Sequence, residues 1–153
     1  MMEAANRLAR ILGSVPPRLC HISESDAARG ARGTSARGRW SKKEILGHLI
    51  DSAGNNHQRF VRAQFVPVLE FPGYEQEEWV AAQAYATEPW PDLVNLWLLL
   101  NRHLVHIIEA IPESSFAHEC AIGGKPPVRL SFLIEDYLKH LEHHLDQVFT
   151  TSL

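Results

Sequence analysis

The chain has 153 residues, of which 45% are hydrophobic and 22% charged, with a formal net charge of −3 at pH 7. This length accommodates one domain with a hydrophobic core, so we expect a single domain over residues 1–153. The negative charge gives no general electrostatic reason to bind nucleic acid or an anionic membrane surface. No apolar run reaches the length of a membrane span, and the N-terminal residues lack the pattern of a signal peptide.

Only two cysteines occur, Cys20 and Cys120, and they lie far apart in the chain. They form no C-x-x-C pair, so they predict neither a disulfide framework nor a thiolate zinc site. Reduced thiols are typical of cytoplasmic proteins, and we expect this protein to be cytoplasmic. The composition is unusual in its nine histidines.

The first predicted element is a short amphipathic helix from Met2 to about Leu12, ended by Gly13 and two prolines. Residues 19–28 can add one or two turns. An arginine- and glycine-rich segment at residues 27–39 then favours a solvated loop. RNA binding is the alternative for this segment. Its arginines are Arg29, Arg32, Arg37 and Arg39.

The second long helix is predicted from a capping box. Ser41 and Glu44 form the S-x-x-E pattern, in which serine and glutamate side chains satisfy the free amides of the first turn. The helix then runs to about Gln64 and carries His48 and His57.

The middle of the chain predicts a connector and two helices. Residues 66–74 contain two prolines and a glycine and predict the connector. Residues 75–85 predict a short helix with Trp79 and Val80 turned inward. A longer helix, ending at about Ile111, is apolar almost all round, so it is either central to the bundle or contacts another subunit as in a homodimer.

The C-terminal part begins with a Gly-Gly-Lys-Pro-Pro turn within residues 118–128, which predicts a small hairpin or an ordered loop. The last helix spans residues 131–149. Three medium or long helices and a shorter N-terminal one predict an all-α fold, a four-helix bundle.

The last predicted helix contains His140, His143 and His144. At about 100° per residue its apolar side chains form an arc roughly 160° wide. His144 lies within this arc and His140 at its edge, whereas His143 lies among charged residues and should face water. Imidazoles at i and i+4 have the spacing that a metal ion needs. Ordinary hydrogen-bonded core histidines are the alternative.

A catalytic zinc site commonly uses three protein ligands and one open position, so a third ligand should come from a facing helix. The candidates are His48, His57, His103 and His106. On the second long helix, His57 is central to the apolar arc and His48 lies roughly 60° beyond its edge. His48 belongs to a polar stripe with Ser52, Asn55 and Arg59. Such a stripe is typical of a polar pocket and of a solvated face alike, so the residues alone leave the choice open.

Two segments carry recognisable motifs, WSKKEILGHLIDSAGNNHQRF at residues 40–60 and LIEDYLKHLEHHLDQV at residues 133–148. The first contains a tryptophan, a capping serine and E-x-x-x-H-L-x-D, and the second contains D-Y-x-x-H-x-x-H-H-x-x-Q. They resemble the DinB/YfiT family of metal-binding four-helix bundles. Residues 74–80 and 93–112 are also similar to it, whereas the arginine-rich segment is longer and more basic than the family's pattern.

In the DinB/YfiT family, a histidine of the second helix and the H-x-x-x-H pair of the last helix bind a divalent metal. The resemblance therefore implies His48, His140 and His144 as ligands, with zinc or nickel as the metal. It also implies a small-molecule substrate and a metal-dependent hydrolase or a transferase that uses a low-molecular-weight thiol such as bacillithiol, mycothiol or glutathione. A non-catalytic metal-binding or stress-responsive bundle is the alternative.

Neighbouring residues suggest how such a site could be supported. Asp51, Asp136 and Gln147 stand three or four positions from the histidines and could orient the imidazoles. Arg59 or Asn55 could contact an anionic substrate or thiol. No H-E-x-x-H motif is present, which argues against a zincin protease and leaves the general base unassigned.

Overall fold

The structure is a computed structural model, and it describes residues 1–30 and 40–150. The elements in chain order are α1 (Met2–Cys20), α2 (Glu24–Ala27), α3 (Lys42–Arg62), β1 (Val68–Phe71), α4 (Gln76–Ala82), α5 (Trp90–Ala110), β2 (Glu119–Ile122), β3 (Val128–Arg129) and α6 (Leu130–Phe149). Short 3-10 turns lie at Tyr85–Thr87 and Glu113–Ala117. Most of the arginine-rich segment, residues 31–39, lies outside the described residues.

The four long helices form a bundle in which α3 packs against α5 and α6, and α1 packs against the same two helices. The order around the bundle is therefore α1, α5, α3, α6. Each helix contributes fully buried apolar side chains to one core, among them Leu8, Phe60, Trp97 and Leu138. The predicted four-helix bundle is confirmed.

The capping box at the start of α3 is present as predicted. The Ser41 hydroxyl accepts a hydrogen bond from the Glu44 amide at 3.2 Å, and the Glu44 carboxylate accepts one from the Ser41 amide at 2.7 Å. These bonds satisfy two amides that have no partner within the helix. They set the starting point of α3, and with it the direction in which His48 points.

The predicted end of the first helix was wrong, because α1 continues through Pro16 and Pro17 to Cys20. A proline inside a helix removes a backbone hydrogen bond and crowds the preceding turn. Here Val15 and Leu19 lie on the buried face of α1 at 6% and 0% exposure. Their burial in the core compensates for the lost hydrogen bonds, and the helical geometry persists.

A three-stranded sheet is the main addition to the predicted fold. β1 pairs in parallel with β2, placing Leu69 opposite Cys120, and β2 pairs antiparallel with β3 through the predicted hairpin. Gly123 and Gly124 adopt the positive φ angles of 61° and 73° that the turn requires. β1 lies in the segment predicted as a connector, because its partner strand is distant in sequence and leaves no local pattern.

Two inward predictions for the middle of the chain had different outcomes. Val80 is buried at 2% exposure, whereas Trp79 is 42% exposed and the prediction for it was wrong.

On α5, Leu96 and Leu99 expose 45% and 62% of their surface, so this helix does carry a second apolar face. Within residues 1–30 and 40–150, no helix combines the length and apolarity needed to cross a membrane.

Candidate metal centre

Three histidines from two facing helices converge on one point. His48 comes from α3, and His140 and His144 come from α6; one ligand atom from each lies within 4.8 Å of the other two. Their ring centroids are 4.5 to 4.9 Å apart. In the described part of the chain, no other group of three or more histidine, cysteine, aspartate or glutamate side chains has this geometry.

One hydrogen-bond-length contact within the cluster joins two ring nitrogens, of which one must donate and the other accept. Nε2 of His48 lies 3.0 Å from Nε2 of His140. Two neutral imidazoles can share a single hydrogen across this distance. Two nitrogens bound to one tetrahedral zinc ion would stand about 3.4 Å apart. The observed spacing therefore needs only a small adjustment to bind a cation.

His144 is held in one tautomer by Gln147. The Gln147 side-chain oxygen accepts a hydrogen bond from Nδ1 of His144 at 2.7 Å, and the Gln147 amide donates to Nε2 of His143 at 3.2 Å. Because Nδ1 of His144 carries the hydrogen, its Nε2 keeps the lone pair. The bond thus prepares the nitrogen that a metal would use.

Burial keeps the cluster uncharged at neutral pH. Desolvation, together with the neighbouring imidazoles, lowers the pKa of His48 to about 3 and the pKa of His140 to about 4. Burial also lowers the pKa of His144, partly opposed by its hydrogen bond to Gln147. Neutral imidazole is the form that binds metal ions. The three side chains are therefore in the ligand form without any deprotonation cost near pH 7.

The structure brings His48, and not His57, next to His140 and His144. His48 is fully buried, whereas His57 is only partly buried and its ring faces the exposed His103, with 5.4 Å between centroids. The helical wheel gave the opposite preference, since it counts only apolar neighbours. The polar stripe of α3 is itself buried, with Ser52 at 5%, Asn55 at 9% and Arg59 at 8% exposure. The stripe is therefore not a solvated face, and two of its members, Ser52 and Arg59, line a cavity.

Of the three residues expected to orient the histidines, Gln147 contacts the cluster and Asp51 and Asp136 do not. Gln147 contacts His144 as described above. Asp51 instead accepts hydrogen bonds from the Tyr85 hydroxyl at 2.8 Å and from the Gln83 amide. Asp136 is exposed and makes no hydrogen bond to the cluster.

Trp40 is a neighbour of the cluster that sequence reasoning did not assign. Its ring packs against His48 with 5.1 Å between centroids. The Nδ1 atom of His48 is buried and has no hydrogen-bond partner in the described part of the chain. The family-like tryptophan directly before the capping serine was the signal that could have located this contact.

A cavity of about 540 Å³ opens beside the cluster. Of the three histidines, His140 lines it, and Nδ1 of His140 lies 3.5 Å from the Ser52 hydroxyl on the same wall. Other lining residues come from α3, α6, the β2–β3 hairpin and residues 73–76, and include Asn56, Arg59, Cys120, Lys125 and Tyr137. The cavity is of a size suited to a small molecule.

The DinB superfamily model matches residues 3–148, which is nearly the whole chain. The chain belongs to the DinB superfamily. This confirms the resemblance seen in the two motif-bearing segments of α3 and α6. Among curated proteins, no match to this DinB-superfamily chain is found.

Solved structures show the same fold. YfiT from Bacillus subtilis, described as a probable metal-dependent hydrolase with an unusual four-helix bundle topology, is similar with a TM-score of 0.77 and 18% identity, over 94% of this chain and 83% of YfiT. A mycothiol-dependent maleylpyruvate isomerase is similar with a TM-score of 0.74 and 14% identity, over 98% of this chain. The chain spans only 61% of the length of that isomerase. At these identities the likeness establishes the fold.

Proposed function

We propose that this DinB-superfamily protein is a metal-dependent enzyme that binds one divalent metal ion through His48, His140 and His144. The observation that carries the proposal is the convergence of three neutral, largely buried imidazoles beside a cavity of about 540 Å³. Buried polar rings without sufficient partners are costly, and a shared cation would satisfy all three at once.

The donor set fits zinc or nickel. Imidazole nitrogen is a good ligand for both, and the group contains no carboxylate or thiolate that would neutralise the ion. When bound, such an ion is a Lewis acid that lowers the pKa of a coordinated water or thiol. The protein contributes the neutral rings, the tautomer set by Gln147 and a cavity that admits a small molecule.

We propose two reaction classes for this site, which differ in the nucleophile. Water gives a hydrolase, the class for which YfiT is described. A low-molecular-weight thiol gives a thiol-dependent transferase or isomerase, and the mycothiol-dependent maleylpyruvate isomerase has this kind of dependence. Both of these proteins share the present fold. In this chain, either reaction class would place a small molecule, and not a nucleic acid, in the cavity.

Metal content tests the first part of the proposal. Untagged protein should contain about one equivalent of zinc or nickel by elemental analysis, and chelation should remove the metal and lower the melting temperature. Readdition of zinc or nickel should restore it. A metal-free protein whose melting temperature ignores both chelator and added metal would refute the site.

Activity of the metal-loaded protein tests the second part. A panel of esters and amides, assayed with and without glutathione, bacillithiol or mycothiol, should give turnover that chelation abolishes. Turnover only in the presence of a thiol would select the transferase class. Bound metal without turnover on any combination would instead indicate a non-catalytic metal-binding bundle.

A further inference from the structure

Within residues 1–30 and 40–150, Arg59 is a buried cation that forms no ion pair with a carboxylate. It is 8% exposed, and its Nε atom is buried with no hydrogen-bond partner in the described part of the chain. One terminal nitrogen donates a long hydrogen bond of 3.4 Å to the Asn56 side-chain oxygen, and the guanidinium carbon lies 5.4 Å from the centre of the Phe71 ring. Neither contact supplies negative charge.

Another buried cation, Lys43, has an anionic partner. Lys43, at 4% exposure, donates to the Glu24 carboxylate and to the Glu88 carbonyl oxygen. No carboxylate of the described residues forms such an ion pair with Arg59. An uncompensated buried charge is costly, and the cost is smallest when an anion completes the site. Burial accordingly lowers the pKa of Arg59.

Arg59 lines the same cavity as His140. Ser52, which approaches His140, lies seven residues before Arg59 on α3, a separation of roughly 10 Å along the helix axis. Lys125 from the β2–β3 turn also lines the cavity. The acidic lining residues are Glu75 and Asp136, both of which are exposed.

We propose that Arg59 is the carboxylate-binding residue of this cavity, and that it binds an acidic small molecule whose other end reaches His140. This inference rests on the proposed function, since it assigns a substrate class to the same site. The planar guanidinium can bind a carboxylate through two parallel hydrogen bonds, which a lysine cannot do. The carboxylate can belong to an acidic substrate or to a thiol cofactor such as glutathione, because both present the same chemistry.

Calorimetric binding of glutarate and of its uncharged diamide, glutaramide, tests the assignment on zinc-loaded protein. Arg59→Met should weaken glutarate binding at least tenfold and leave glutaramide binding unchanged. Arg59→Lys should keep the charge but lose the two-point contact, and weaken glutarate binding by about three- to tenfold. Arg62→Met is the matched control, because Arg62 is exposed on the same helix, its side chain hydrogen-bonds to Gln58, and it does not line the cavity. This variant should bind glutarate as the unaltered protein does.

Glutathione distinguishes the two sources of the carboxylate. If Arg59→Met weakens glutathione and leaves glutarate unchanged, the residue binds the thiol cofactor; the reverse result assigns the acidic substrate. Unchanged affinity for both in a folded Arg59→Met protein would overturn the proposal. If Arg59→Met does not fold, Arg59→Lys decides: affinities equal to those of the unaltered protein would overturn it.

The zinc content of every sample separates failure of this inference from failure of the metal site. Stoichiometric zinc with no dependence of binding on Arg59 would reject the carboxylate site and leave the metal proposal standing. Glutarate binding that depends on Arg59 in protein that holds no zinc would support the carboxylate site and reject the metal site. Repeating the glutarate titration after chelation excludes direct binding of the acid to the metal.

Discussion

Helix α3 contributes one histidine to each of two groups of histidines, and these groups differ in their spacing and in their burial. The inner group consists of His48, His140 and His144. The outer group consists of His57, His103 and His106. In the inner group the centroid distances are 4.5 to 4.9 Å, whereas in the outer group His57 and His103 are 5.4 Å apart and His103 and His106 are 6.2 Å apart.

The two groups differ in depth and in the elements that surround them. His48 lies under Trp40 and faces α6, while His103 and His106 are exposed on α5. Exposed imidazoles bind water at no cost and need not converge. Buried imidazoles must find partners or remain unsatisfied. Burial, and not the number of histidines, therefore sets the inner group apart as the ligand site that we propose.

The largest contrast is expected in metal affinity. His140→Ala and His48→Ala each remove one of three ligands and should weaken zinc binding by at least a hundredfold, measured by competition with a chromogenic chelator. His103→Ala is the control from the outer group and should bind zinc as tightly as the unaltered protein. Equal loss in all three variants would remove the distinction between the groups.

Alanine substitutions at the two glycines of α3 should show that the chain packs tightly beside His48 and loosely beside His57. A β-carbon at Gly47 would lie 2.1 Å from the Tyr85 ring, whereas one at Gly54 would meet no atom within 4 Å. Gly47→Ala must displace Tyr85 from its bond to Asp51 and should lower the free energy of unfolding by about 2 to 3 kcal/mol. Gly54→Ala should raise it by about 0.5 to 1 kcal/mol, because alanine favours the helix. Urea unfolding of both variants measures the difference, and similar values would contradict it.

The inner group should make the metal-free protein sensitive to acid. The pKa values of His48 and His140 are about 3 and 4 in the folded state, below the value of about 6.5 expected in the unfolded chain. Between these limits the unfolded chain binds more protons, so the free energy of unfolding falls as the pH decreases. From pH 6.5 to pH 5 we expect the two histidines together to lower the free energy of unfolding of chelated protein by about 3 kcal/mol.

Urea unfolding at several pH values measures this acid dependence. The double variant His48→Gln/His140→Gln should flatten it, provided that the variant folds, as judged by circular dichroism. A free energy of unfolding that stays constant from pH 6.5 to pH 5 in the chelated, unaltered protein would contradict the assignment of depressed pKa values to the buried histidines.

The smallest effect concerns the hydrogen bond that orients His144. Gln147→Met removes the oxygen that accepts from Nδ1 and should weaken zinc binding by about tenfold, with the three ligands intact. Gln58→Met is the matched control, since Gln58 is exposed beside His57 and its side chain hydrogen-bonds to Arg62. Unchanged zinc affinity in Gln147→Met would show that packing alone orients the ring.

Local pattern alone determined several features of this protein. The capping box at Ser41 and Glu44 predicts the start of α3, because its hydrogen bonds join residues three positions apart. The wheel of α6 turns His140 and His144 toward the core and His143 toward water, because all three share one helix. The motifs around them sufficed to indicate the family.

Only the tertiary structure decided which side of α3 faces the histidines of α6. The wheel favoured His57, yet α3 is enclosed by α5, α6 and Tyr85, so that its polar stripe is buried together with its apolar one. The same enclosure removes Arg59 from solvent. The path of α1 through its prolines and the pairing of β1 with β2 likewise depend on contacts between residues distant in sequence. A local pattern records which side chains are apolar, but only packed helices determine which polar side chains lose their water.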